Sequence, residues 1–472
     1  MNLRARNISG TLASILSLAL AGCVLPPKDK PQLTLTEDSA LGLGTSNAPA
    51  IDEHWWHQYG DAQFDELTTA ALEHSPNLQA ALARIDLAQA QVQAAAGTLR
   101  PNTVISGAAT RQRFPENYIY PPPLAGNTAW QGDVSLRLSW DLDLWGRQAA
   151  LIDSVRATTD ATRLDAAAAR LAITSSLAQA YLDLDRAYAL ADIATQSETQ
   201  RRQILDITRK RIGAGLDTNV ELREAEAAVP QAELSRLQAE AARDVAVHRV
   251  VALTGGGAGD YAKIVLPKLD VETALAVPDS LPADLLGRRP DILAARARAQ
   301  SATALHAAAR ASFFPNINLA AFAGFEAIGL DNLVKWSDRT VGAGPAISLP
   351  IFSAPRLQAQ YHGAIANEDV AIAAYNGAVV SAVQQAADQL TQVRSSALQL
   401  EQARASLAAA EDAYRLAQKR YQAGLTNYLV VLTTETQVLN ARLSYVDVLH
   451  SQALARIGLL LAVGGNFSRS DT

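Results

Sequence analysis

The sequence predicts a mainly α-helical protomer with a transmembrane β part, a tandem duplication that yields four β-strands and two long α-helical hairpins. Three observations predict it. One pattern of Pro and Gly punctuation occurs twice, very long stretches contain neither residue, and one segment of membrane length alternates apolar and polar side chains without a fault.

The duplication sets the frame. PNLQAALAR from Pro76 returns as PDILAARAR from Pro290, an offset of 214 that holds to Pro101-Asn102 and Pro315-Asn316. KRIGAGL (210–216) returns as KRYQAGL (419–425) at an offset of 209, which also pairs Gly255-Gly256 with Gly464-Gly465. Chance similarity between Ala-rich helices does not place this punctuation in the same order twice. The expected organisation is a leader over 1–22, an N-terminal segment with a helix over 23–75, one copy over 76–256, a link over 257–289, a second copy over 290–465 and a tail over 466–472.

Each copy opens with a helix of moderate length, 77–98 and then 291–312. A pair of strands follows, over about 101–142 and about 315–351, with the first strands beginning at Pro101 and Pro315. In the first copy Val134, Leu136, Leu138, Trp140 and Leu142 share one face, while Ser135, Arg137, Ser139 and Asp141 share the other. Trp130, Trp140 and Trp145 suit a strand with interfacial aromatics. Val341, Ala343, Ile347, Leu349 and Ile351 repeat the period, interrupted by Pro345 and Pro350, and turn-rich loops are expected at 114–128 and 327–338.

The long hairpins come last in each copy, over about 146–255 and about 356–462. Arg147 to Ile212 holds no Gly and no Pro, which as one helix is roughly 100 Å long. Leu177, Tyr181, Leu184, Tyr188 and Ala191 step 4, 3, 4, 3, a coiled-coil seam. Val379, Ala386, Val393, Leu400, Leu407, Tyr414 and Tyr421 stand seven apart. Gly213, Gly215 and Gly424 mark the reversals.

Composition agrees and excludes other classes. The 472 residues are 49% hydrophobic but only 6% aromatic and rich in Ala, which favours long packed helices over a thick globular core. A net charge of -6 argues against nucleic acid as a partner, and seven His with one Cys leave little for a metal site. His54 and His57 are three apart but flank Trp55-Trp56, and two ligands do not make a site. Thr254-Gly255-Gly256-Gly257 follows a helix and lacks the Lys-Ser/Thr of a phosphate loop, so it reads as a helix stop. No nucleophile, acid–base or metal motif points to an enzyme.

The N-terminus reads as an export signal. Arg4 and Arg6 precede a short apolar run, Ile8 to Ala21, which ends in Leu20-Ala21-Gly22-Cys23. That ending is similar to a bacterial lipobox, which implies diacylglycerol and N-acyl lipid on Cys23. Val24 fits sorting to the outer membrane. Beyond Cys23 no run of about 18 apolar residues occurs, so a membrane span has to be made of strands. Membrane barrels need at least about eight strands and no open edge, so four strands per chain call for other copies.

The motifs together resemble the TolC-like outer membrane factor family, in its lipidated efflux branch. They are HWWHQYGDAQFDEL (54–67), SPNL (75–78), LRPN (99–102), SWDLDLWGR (139–147), GRRPDI (287–292), FFPNI (313–317), SLPIF (348–352) and the two AGL turns at 214–216 and 423–425. The resemblance covers about residues 50–465. It implies a homotrimer closing into a 12-stranded β-barrel in the outer membrane and a 12-helix α-barrel in the periplasm. An equatorial α/β belt would come from the N-terminal segment, the 257–289 link and the tail. It implies a passive exit duct of a tripartite efflux pump, served by a periplasmic adaptor and an inner membrane transporter of the RND or MFS type.

The resemblance also implies a gate at the periplasmic tips. Tyr421 matches a tyrosine that forms a constriction link, and Leu429 and Thr433 match positions carrying an apolar and an acidic ring in relatives. Thr433 departs from the acid common there. Glu221 stands where relatives tether the gate with an acid, and Glu224 is placed one position from the Thr433 level on the same hairpin. Gly215, Leu216, Gly424, Leu425 and Thr426 are the implied adaptor contacts. Two other readings remain: a periplasmic coiled-coil scaffold or adaptor lipoprotein, against which the duplication and the Val134–Leu142 strand weigh, and a channel of the same family serving protein secretion, against which the lipobox weighs.

Overall fold

The computed structural model describes residues 26–36, 54–271, 289–350 and 353–464. Cys23, the leader and the tail lie outside the described residues, as do Ile351 and most of the link. The elements run α1 (Ala62–His74), α2 (Pro76–Gly97), β1 (Asn102–Arg113), β2 (Thr128–Leu142), α3 (Arg147–Gly213), α4 (Asn219–Leu253), α5 (Pro290–Ala311), β3 (Asn316–Ile328), β4 (Arg339–Ser348), α6 (Ala354–Gln422) and α7 (Tyr428–Ala462). The order helix, strand pair, hairpin occurs twice. No described helix is long and apolar enough to cross a membrane.

The chain divides into two compact units, and both sequence copies contribute to each. One comprises the described parts of Met1–Leu35, Ile85–Thr162 and Ala295–Tyr375. Its sheet has the order β1-β2-β3-β4, all antiparallel, with β1 and β4 as the edges. Leu136 stands opposite Ile105 on one side and Ala323 on the other, and Ala323 opposite Val341, so one face is apolar across all four strands. The other face carries Ser106, Ser135, Arg137, Ser139 and Asn318, joined by Ser106–Ser135 and Ser139–Asn318 hydrogen bonds of 3.2 and 3.3 Å. Among the described residues nothing covers the apolar face: Ile105 is 77% exposed and Val341 72%. Trp130 and Trp140 stand ten residues apart on that face, roughly 26 Å at a tilt of about 40°.

The strands differ from the sequence expectation at their ends. β2 starts at Thr128 rather than near Val134, because Gln131 to Thr128 pair with Thr110 to Arg113. Ala327 and Ile328, expected in a loop, pair with Gly132 and Gln131. β4 stops at Ser348, ahead of Leu349 and Pro350. β1 and β3 begin at Asn102 and Asn316, one residue after the prolines expected to start them. Below the sheet, Ser154 of α3 bonds Ser301 of α5 at 2.8 Å, and Glu368 of α6 takes bonds of 2.7 Å from Thr303 and His306 of α5. These bonds tie α5 to α3 on one side and to α6 on the other.

The other unit comprises the described parts of Thr36–Arg84, Arg163–Ala294 and Asn376–Thr472. Its main core joins Trp55, Trp56, Tyr59 and Phe64 to Leu177, Tyr181 and Leu184 of α3, Val250 of α4 and Ile457 of α7. Asp61 is the hub: it caps α1 through the Gln63 amide at 2.9 Å, and accepts from the Tyr181 hydroxyl at 3.0 Å and the Lys268 amide at 2.6 Å. The seam residues Leu177, Tyr181, Leu184 and Ala191 are buried. So are Val379, Ala386, Val393, Leu400, Tyr414 and Tyr421 of the seven-residue column, with Leu407 partly covered.

Candidate gate at the helical tips

Both long helices end in the same way. Gly215 (φ +72°) and Gly424 (φ +76°) take the left-handed conformation. The Leu216 amide reaches back to Arg211 O at 2.9 Å, and the Leu425 amide to Arg420 O at 2.8 Å, which is the Schellman closure. The next helix starts two residues later, capped by Thr218 in one copy and Asn427 in the other. These turns share one closure at the 209-residue offset, but the residues around them differ.

The asymmetry builds a lock. Arg211 of α3 pairs with Asp217 of the first turn in a fork, Nε to Oδ2 at 2.8 Å and Nη2 to Oδ1 at 2.9 Å. Arg211 Nη1 also donates to the main-chain oxygen of Tyr421 at 2.7 Å, and the guanidinium lies 4.4 Å from the centre of the Tyr421 ring. The Tyr421 hydroxyl donates to Asp217 Oδ2 at 2.7 Å and lies 3.0 Å from Thr208 Oγ1. The second copy has Thr426 in place of Asp217 and Ile212 stands in the first where the second has Tyr421, so only one lock forms, across the two hairpins.

Its electrostatics follow from burial. Arg211 and Asp217 side chains are 9% and 5% exposed. The Arg211 hydrogen bonds hold the Asp217 carboxyl below the usual carboxylate range, against the opposing effect of desolvation. Desolvation pushes Tyr421 up to about 12, with the neighbouring Asp217 charge adding to it. The phenol stays protonated and remains a donor.

The other expected site residues fall into two groups. Leu429 is 65% exposed at the start of α7, and Thr433, one turn on, is exposed with its hydroxyl bonded to Leu429 O at 2.8 Å. Leu216 and Leu425 are 59% and 69% exposed beside their glycines, with Thr426 partly covered. Tyr421, by contrast, is wholly buried. Glu221 belongs to a capping box: its carboxylate accepts from the Thr218 amide at 2.9 Å and from the Thr218 hydroxyl. Those bonds, the Thr218 hydroxyl first, lower its pKa. Glu224 is exposed on α4. The 209-residue offset puts Glu224 and Thr433 at one level on two different hairpins, which corrects the expectation of adjacent levels on a single hairpin. Sequence reasoning passed over Arg211, Asp217 and Thr208. An Arg eight residues before Asn219, the counterpart of Tyr428, and an Asp two residues after a Gly turn are common on any helical hairpin, and at the 209-residue offset Asp217 and Thr208 meet Thr426 and Ala417, so nothing local marked them.

Comparison with known proteins completes the picture. The sequence profile described as outer membrane efflux protein matches residues 67–256 and 281–465. The chain belongs to this family. It is an outer membrane efflux channel. Over 365 residues, 74% of this chain and 68% of the relative, it is 36% identical to the fusaric acid resistance protein FusA of Burkholderia cepacia. It is 31% identical over 473 residues to the multidrug resistance outer membrane protein MdtQ of Escherichia coli O157:H7, covering 96% of this chain and 97% of that one. The crystal structure of the outer membrane protein VceC of Vibrio cholerae superposes with a TM-score of 0.82 at 32% identity, over 89% of this chain and all of VceC. The two stretches matched by the family profile fall on the two sequence copies.

Proposed function

We propose that three copies of this efflux channel, each anchored by lipid on Cys23, close into the passive exit duct of a tripartite pump. The supporting observation is the four-stranded sheet whose apolar face is uncovered and whose edges, β1 and β4, are unpaired among the described residues. Open edges cannot sit in hydrocarbon. Pairing β1 of one copy with β4 of the next, three times round, gives 12 strands with the apolar face outward and the Ser, Asn and Arg face lining the lumen.

In this reading the helical tips form a gate. The Arg211–Asp217–Tyr421 lock holds the two hairpins of each protomer together. Leu429 and Thr433 project from the start of α7 as an apolar and a polar ring, with Glu224 supplying acid at the Thr433 level. Glu221 fixes the first turn of α4 behind them. Gly215, Leu216, Gly424, Leu425 and Thr426 present apolar knobs on rigid turns, which suits docking of a periplasmic adaptor. The adaptor links the duct to an inner membrane transporter of the RND or MFS type. FusA and MdtQ are named for resistance to fusaric acid and to multiple drugs, and small molecules or drugs are the cargo we assign here. The channel does no catalysis and needs no cofactor, since the gradient and the pump supply the work.

One cysteine placed in β1 and one in β4 tests the assembly. Oxidation is expected to give covalent dimers and then a closed trimer. Monomers alone, or an open ladder beyond three, would contradict it.

A further inference from the structure

Just inward from the turns, α7 buries Val431, Glu435 and Val438 on one stripe. Steps of four and three are coiled-coil core spacing, so a carboxylate occupies a position that packing would fill with an apolar side chain. Its side chain is 2% exposed. The equivalent residue of the first copy, Glu226, is 31% exposed and pairs with Arg223 at 2.6 Å and Arg209 at 3.7 Å. The same duplicated position is thus a solvated acid in one hairpin and a core acid in the other.

Titratable groups of α3, α6 and α7 itself surround Glu435. From α3 comes Arg201, with Nε 2.7 Å from Glu435 Oε1. From α6 comes Tyr414, whose buried hydroxyl has no hydrogen-bond partner among the described residues. α7 itself supplies Tyr428 and, two turns on, Arg442, which pairs with Glu411 of α6 at 3.0 Å and Gln196 of α3 at 3.2 Å. Beyond this shell α4 carries Glu224, whose charge is felt at Tyr428. The Arg201 contact is an ion pair without hydrogen-bond geometry, and neither Glu435 oxygen is otherwise satisfied among the described residues. Burial pushes the carboxyl up to about 7, with Arg201 opposing. Tyr421, Tyr428 and Val431 share one apolar cluster with Val438, so this rung lies in the same packed body as the Tyr421 lock.

We propose that Glu435 is a positioning residue of the gate: through Arg201 it sets the register of α7, which carries Leu429, against α3, and proton exchange at its carboxyl makes that register respond to periplasmic pH. This rests on the gate reading above. Parting α7 from α3 hydrates the carboxyl and returns it to the ordinary carboxylate range. The closed form then holds a proton that the open form releases, between that range and about pH 7. Acid favours the closed channel and alkali the open one, by up to about tenfold in their ratio per pH unit.

The test records openings of the full-length channel in planar bilayers from pH 5 to 8. The wild type needs no substitution and is expected to open more often as pH rises. Glu435→Gln is expected to flatten the profile near its acid-side level, and Glu435→Asp to keep a profile with a moved midpoint. A Glu435→Gln channel that keeps the full wild-type profile, or a wild type without any profile, overturns the proposal. Asp217→Asn is recorded in parallel: increased opening at every pH keeps the tip gate whatever Glu435→Gln does, whereas no change removes the gate reading and this proposal with it.

Discussion

The Tyr421 hydroxyl and the Asp217 carboxylate, 204 residues apart in the chain, meet at 2.7 Å and tie one helical hairpin to the other. Tyr421→Phe removes that bond and leaves the Arg211–Asp217 fork in place, for an expected loss of about 1.5–3 kcal/mol at the tip, the usual range for a bond to a charged group. Asp217→Asn leaves a buried guanidinium without its partner, and about 3–5 kcal/mol is expected. Hydrogen exchange of the tip amides measures both. Because the residues share one network, the double variant should lose less than the two single losses together.

The lock also has a pH signature opposite to that of Glu435. The Asp217 carboxyl is held below the usual range in the folded chain, so its stabilisation is complete above that range and is lost as pH falls through the depressed folded value. Tip exchange is therefore expected to stay slow near neutrality and to quicken only in strong acid. In Asp217→Asn that acid limb should vanish.

Leu429 gives a separation of gating from folding. At 65% exposure its truncation to Ala is expected to alter stability by no more than about 0.5 kcal/mol. If it lines the gate, single-channel conductance or entry of large antibiotics should rise. An unchanged channel would assign Leu429 to the surface alone.

Two glycines test the backbone. No atom lies within 4 Å of a Cβ built on Gly215, so Gly215→Ala isolates the cost of the left-handed conformation, about 1–2 kcal/mol, confined to exchange around 210–222. A Cβ on Gly324 instead falls 2.3 Å from the Val134 carbonyl oxygen. Gly324→Ala is expected to break the β2–β3 ladder and reduce the yield of heat-stable oligomer to a small fraction.

Much of this was legible in the residues, for identifiable reasons. Long helices write their period into every turn, so the Leu177–Ala191 seam and the column from Val379 to Tyr421 stood out, and Gly215 and Gly424 marked reversals that only a left-handed residue makes easily. The β2 face was legible because Val134 to Leu142 alternates strictly. Its extension to Thr128 was not, since Gly132 and Gln131 break the pattern and are held only by pairing with β1 and β3. The lock was hidden because its members lie on α3, a turn and α6, and no local rule brings Arg211 to Tyr421. Glu435 was hidden for the same reason: a Glu in a helix reads as solvated until packing buries it, as Glu226 shows at the equivalent position.

The most direct test of the central claim is the single-channel conductance of the purified oligomer, wild type against Asp217→Asn, in a lipid bilayer. A trimer that is nearly closed as wild type and conducts freely once the lock is cut is the expected result. A wild-type oligomer that conducts equally well with or without Asp217, or that does not conduct in either form, would contradict it.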